Sequence, residues 1–107
     1  MSYQFLQLEQ QDQVAYVWLN RPELHNAFNT TVIEELHACF KQINTRDDIR
    51  VVVLAGRGKS FSAGADLNWM KQAGQASSAE NEADALKLAQ MLDALATLKQ
   101  PTIARVH

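Results

Sequence analysis

The chain has 107 residues, enough for one domain with a modest core, and 47% hydrophobic residues, 21% charged residues and a formal net charge of -2 are ordinary for a soluble globular protein. Acidic residues outnumber basic ones and no Lys/Arg cluster marks one face, so no nucleic-acid partner is expected. No apolar run approaches a membrane span, and Met1 to Asp12 lacks the character of a targeting segment, so the expected setting is cytoplasmic, away from membranes.

Tyr3 to Leu8 alternates loosely between large apolar and polar residues, and Val14 to Leu19 is mostly apolar. With the polar stretch Glu9 to Gln13 between them, these predict an antiparallel hairpin. Asn20-Arg21-Pro22 ends the second strand, because proline cannot donate to a ladder. From Thr30 to Asn44, Ile33, Leu36, Phe40 and Ile43 recur at helical spacing, with Val32 and Cys39 at the edges of the stripe. Asn29 or Thr30 is a suitable N-cap, and Arg46-Asp47-Asp48 closes the helix in a solvated turn. Cys39 is the single cysteine and reads as core packing, which excludes an internal disulfide. His25, His37 and His107 share no ligand spacing, so no metal is expected.

Val51 to Ala55 is continuously apolar, as in a parallel strand covered on both faces. A short helix is predicted over Asp66 to Ala73, with Asp66 as cap and Gly74 as stop. A longer one follows over Ala79 to Leu98, with Leu88, Leu92, Leu95 and Ala96 as its buried stripe and Ala85 and Ala89 permitting close approach. Gln100-Pro101 breaks that helix and Thr102 to Val106 predicts a last strand. The fold class is α/β, a mostly parallel sheet with an N-terminal hairpin and crossover helices. Asn20 to Asn26, Gly56 to Asp66 and whatever follows His107 would then all leave the carboxyl ends of strands, where open α/β sheets bind ligands. Because His107 follows that strand with no covering element, residues 1–107 read as one segment of a longer domain.

The segment most informative about function is Ser60-Phe61-Ser62-Ala63-Gly64-Ala65-Asp66. Just before it, Gly56-Arg57-Gly58 lacks the third glycine of a dinucleotide loop, since Phe61 stands there, and Gly58-Lys59-Ser60 lacks the first glycine of a triphosphate loop, since Val53 stands there. A small-residue loop between a buried strand and an acidic helix start can aim backbone N–H groups at an anion. Equally, Ala63, Gly64 and Ala65 could only save space in a tight connection.

Leu19-Asn20-Arg21-Pro22, Asn26-Ala27-Phe28, Val51 to Gly56 with Phe61 to Leu67, and Lys99-Gln100-Pro101-Thr102-Ile103-Ala104 together resemble, in order and spacing, the enoyl-CoA hydratase/isomerase (crotonase) superfamily. That resemblance implies the N-terminal part of a crotonase-like fold. It also implies an acyl-CoA thioester as substrate, coenzyme A entering as part of that substrate and not as a separate cofactor, and a homotrimer or hexamer for the parent protein. The backbone N–H of Ala65 would be one of two oxyanion donors. The backbone from Ala63 and Gly64 to Asp66 and Leu67 would hold the adenine, with Leu24 and His25 touching the nucleotide and pantetheine. Lys59 would be a distant phosphate partner or a plain solvated lysine, and Trp69 and Met70 would border the acyl pocket or simply pack. Glu23 and Asn68 depart from the family, standing where a lysine often helps to hold the CoA phosphates.

Gly64 to Met70 resembles the branched-acyl branch that includes methylglutaconyl-CoA hydratase, an enzyme of leucine catabolism. The family's second donor and its acid-base glutamates would lie beyond His107. Enoyl-CoA hydration is therefore expected of the parent protein and no turnover of these 107 residues alone. A noncatalytic CoA-binding or oligomerisation module, or an isomerase or hydrolase of the same superfamily, remains the alternative.

Overall fold

The computed structural model describes residues 3–107. Strands β1 (Leu6–Gln11) and β2 (Val14–Leu19) form an antiparallel hairpin, followed by a single 3-10 turn at Pro22–Leu24 and helix α1 (Thr30–Asn44). Strand β3 (Val51–Gly56) returns parallel to β2, and helices α2 (Leu67–Gln75) and α3 (Ser78–Ala96) lead to β4 (Thr102–Ala104), parallel to β3. The sheet order is β1-β2-β3-β4. Every element expected from the sequence is present, in the expected order.

The boundaries of β1 differ from the expectation for a physical reason. The amides of Gln4 and Phe5 donate to the Glu35 carboxylate on α1, at 2.6 and 2.8 Å, so the chain is pinned to the helix before it joins the sheet. Polar Glu9, Gln10 and Gln11 belong to the strand, because β1 is an edge and these side chains face solvent. The turn shrinks to Asp12 and Gln13, with Asp12 in the left-handed region at φ 54°.

One face of the sheet carries the core. Leu6, Ala15, Val17, Leu19, Val52 and Leu54 meet Val32, Ile33, Leu36, Cys39, Phe40 and Ile43 of α1, and Met91 of α3. Asn29 caps α1, its Oδ1 accepting from the Val32 amide at 3.0 Å. Cys39 is fully buried, and burial pushes its thiol up to about 11, so it is inert packing.

On the opposite face Val14, Tyr16, Trp18, Val51 and Val53 are only half-buried, so β3 is not covered on both sides as its apolar run implied. Arginine stacking covers part of it: the guanidinium groups of Arg57 and Arg105 lie 3.8 and 5.1 Å from the Trp18 ring centre.

Two helices depart from the sequence reading. Helix α2 runs through Gly74 to Gln75, so that glycine does not stop it. In α3 the buried residue is Met91, with Leu88, Ala94 and Leu95 packed against the core, whereas Leu92 is 50% exposed. Spacing alone admits either leucine-containing stripe, and the position of α3 against α1 selects the one through Met91.

This register is testable by chemical denaturation. Met91→Ala is expected to lower stability by about 2–5 kcal/mol, while Leu92→Ala is expected to stay within about 0.5 kcal/mol of the parent.

Candidate active site

Because β2 and β3 are parallel and in register from Val14↔Val51 to Leu19↔Gly56, the loops leaving their carboxyl ends start side by side. They then zip together. The Ala63 amide donates to His25 O at 2.9 Å, Phe28 N donates to Gly64 O at 2.7 Å, and Asp66 N donates to Phe28 O at 2.7 Å, forming a one-residue parallel bridge between Phe28 and Ala65. Beyond β4, a ring nitrogen of His107 lies 3.1 Å from Gly58 O, on the loop that leaves β3.

Asn26 organises the interior of this junction. Buried and left-handed at φ 55°, it accepts from Arg21 N at 2.7 Å and donates to Arg57 O at 2.9 Å and Ser60 O at 2.8 Å. His25 before it is also left-handed, at φ 51°. Two consecutive non-glycine residues in that region are costly and persist only where surrounding bonds over-determine them. Gly56 is required by close approach, because a Cβ there would lie 2.6 Å from Phe61 O and 2.8 Å from Asn26 Nδ2. Gly64 is required by conformation instead, at φ 90° with open space around it.

In a parallel bridge the residue between the two bonds turns its own N–H and C=O away from the partner strand. Here that residue is Ala65. The Gly64–Ala65 peptide is planar, and its oxygen is committed to Phe28, so its N–H points the opposite way. Among the described residues, none accepts a hydrogen bond from that N–H. Asp66 N is committed to Phe28, and Trp69 N donates to the Asp66 carboxylate at 2.9 Å as the cap of α2.

Ala65 lies on the wall of a cleft of about 600 Å³, lined also by Glu23, Leu24, His25, Ala27, Ala63, Asp66, Leu67, Asn68, Met70 and Lys71. Leu24, Leu67 and Met70 are 47%, 72% and 48% exposed, so three large apolar side chains stand in solvent around one opening. A concave site with an apolar rim and a few polar groups on its wall has the character of a small-molecule site.

Of the residues singled out from sequence, Leu24, His25, Ala63, Ala65, Asp66, Leu67 and Met70 line this cleft. Gly64 shapes the turn without lining it, and Lys59 stands exposed on the loop outside it. Trp69 faces the other way, packed against the core and lining a smaller polar cavity with Arg21, Asn29 and Thr30. Two residues were missed in sequence. Lys71 is the one lysine or arginine on the cleft wall, and its i+4 spacing from Leu67 on α2 was the available signal. Arg21, read only as part of the segment that ends β2 and of a family motif, is buried and forms an ion pair with Asp66 at 3.1 Å.

A bare amide beside an apolar rim is an arrangement chemically suited to a polarised oxygen on an otherwise apolar molecule. The sequence profile described as enoyl-CoA hydratase/isomerase matches residues 9–107, and the chain belongs to that family. A Thermus thermophilus protein provisionally named an enoyl-CoA hydratase is 35% identical over 94 residues, covering 88% of this chain and 37% of its own length. The mitochondrial Delta(3,5)-Delta(2,4)-dienoyl-CoA isomerase of Mus musculus is 43% identical over 67 residues, 62% of this chain and 20% of that protein. The crystal structure of an enoyl-CoA hydratase from Shewanella pealeana superposes with a TM-score of 0.94 at 34% identity, over 97% of this chain and 39% of the other. The chain thus has the crotonase-like fold and spans well under half the length of these relatives.

Asp66 makes the site acid-sensitive. The Trp69 amide, with the neighbouring Arg21 guanidinium, holds its carboxyl below the usual carboxylate range. A lowered folded-state pKa contributes stability that is fully present above the unfolded value of about 4 and is lost as pH falls through the folded value. Asp66→Asn, which keeps a capping oxygen, is expected to flatten this part of the acid dependence in thermal melts taken between about pH 2 and 6.

Proposed function

We propose that this chain is the acyl-CoA-binding part of an enoyl-CoA hydratase/isomerase-type enzyme, with the Ala65 N–H as one oxyanion donor to the thioester oxygen. The observation that carries this reading is the uncommitted Ala65 amide on the wall of an apolar-rimmed cleft. When a proton is added or removed beside a thioester, charge moves onto the carbonyl oxygen as an enolate. A donor already held in place stabilises that charge with no reorganisation during the reaction. The peptide geometry at Ala65 supplies such a donor.

Leu24, His25, Leu67 and Met70 offer apolar surface to pantetheine and acyl carbons, and Lys71 offers one cation to the CoA phosphates. Glu23, which faces the same cleft, opposes that cation, consistent with a phosphate grip that differs from relatives carrying lysine there.

Hydration further needs a carboxylate and an acid within reach of the bound enoyl group. Asp66 is committed to its cap and to Arg21, so Glu23 is the one uncommitted carboxylate lining the cleft. We therefore read the second donor and the acid-base pair as belonging to the remainder of the parent protein, and residues 1–107 as binding without turnover. A branched enoyl-CoA is the proposed substrate, on the resemblance carried by Gly64 to Met70, and assembly as a trimer or hexamer belongs to the same proposal.

Titration with CoA and with a 2-enoyl-CoA thioester, following amide shifts, tests the reading: both are expected to move Leu24 and His25, and only the thioester to move Ala65. No thioester-dependent response at Ala65 overturns it, and measurable hydration by this chain alone overturns the division of labour. In the full-length enzyme Ala65→Pro, which removes the N–H, is expected to lower kcat by about 10²–10³ with CoA affinity preserved.

A further inference from the structure

The bridge that aims Ala65 contains two hydrogen bonds, too few to hold one orientation unaided, and a side chain from outside it braces both of its strands. Arg21 is buried, with its Nη1 donating to Ala27 O at 2.8 Å and its Nη2 paired with Asp66 Oδ2 at 3.1 Å. Ala27 immediately precedes Phe28, and Asp66 immediately follows Ala65. One planar guanidinium therefore spans the two sides of the Phe28–Ala65 bridge. The guanidinium is itself fixed: it lies 4.7 Å from the Phe5 ring centre, and the Arg21 amide is held by Asn26 Oδ1 at 2.7 Å.

We propose that Arg21 is a positioning residue, which sets the direction of the Ala65 N–H by clamping Ala27 and Asp66 together. The inference rests on the oxyanion reading of Ala65 for its catalytic consequence, though not for the clamp itself. Lysine cannot substitute, because a single ammonium group lacks the rigid fork that reaches two acceptors in one plane. Removing either acceptor relaxes the bridge from one side only, and the peptide between Gly64 and Ala65 is then free to rotate within the cleft wall.

The test compares the parent with Arg21→Lys and Asp66→Asn by amide hydrogen exchange without ligand, then by affinity for free CoA and for a 2-enoyl-CoA thioester. In Arg21→Lys the amides of Phe28 and Asp66 are expected to exchange at least about tenfold faster relative to Leu36 to Phe40 in α1. Thioester affinity is expected to fall at least about tenfold, while affinity for free CoA changes by less than about threefold. Asp66→Asn, which keeps the cap of α2, is expected to act in the same direction with a smaller effect. Unchanged exchange at Phe28 and Asp66 overturns the proposal, as does loss of protection in α1 to the same degree, which would make Arg21 a general structural residue. If the parent itself shows no thioester response at Ala65, the functional reading fails, while the exchange data still decide whether Arg21 holds the bridge.

Discussion

A single peptide plane governs this site. Its oxygen is claimed by the Phe28 amide, and planarity then leaves the Ala65 N–H directed away from Phe28 at a residue that lines the cleft. The other loop contacts converge on keeping that plane where it is: Ser62 Oγ accepts from the Gly64 amide at 3.1 Å and donates to Asn26 O at 3.0 Å, and the capped start of α2 fixes the residue on the far side. The parallel register of β2 and β3 is what brings the two loops within reach of each other. Secondary structure sets the site up, and a short run of loop hydrogen bonds finishes it.

The cost of this arrangement is visible in the backbone. His25 and Asn26 both occupy the left-handed region, and the ion pair of Arg21 with Asp66 takes two charges largely out of water. Each is unfavourable alone. Asn26 offsets part of that cost with three hydrogen bonds, and Arg21 does so through Ala27 O and the Phe5 ring. Leaving one partner of a buried ion pair uncompensated costs about 3–5 kcal/mol, so the junction holds together as a unit.

The elements and their order were legible in the sequence because strand and helix periods are local properties, and Asn29 and Asp66 declared themselves as caps by residue type and position. The small-residue loop was legible as a way to aim amides, and the family motifs sharpened that to Ala65. What escaped was decided by contacts between distant segments. Glu35 withdraws Gln4 and Phe5 from the first strand, the seat of α3 on α1 chooses Met91 over Leu92, and the direction of Trp69 follows from which side of α2 meets the core. The part played by Arg21 within its motif escaped for the same reason. Nothing near it in the chain announces that Asp66 will be its partner.

Helix α2 differs from its neighbours in having no buried residue, although it supplies Leu67, Met70 and Lys71 to the cleft. Those three side chains are thus nearly uncoupled from folding stability, unlike Trp69 on the core side of the helix, whereas the Ala65 amide is held by the loop junction. Such a scaffold separates two tasks, keeping the electrostatic element constant while the walls are free to vary in bulk and polarity. On the proposed reading, ligands of different shape would be fitted by exchanging residues on one exposed helix, with the Ala65 amide left untouched.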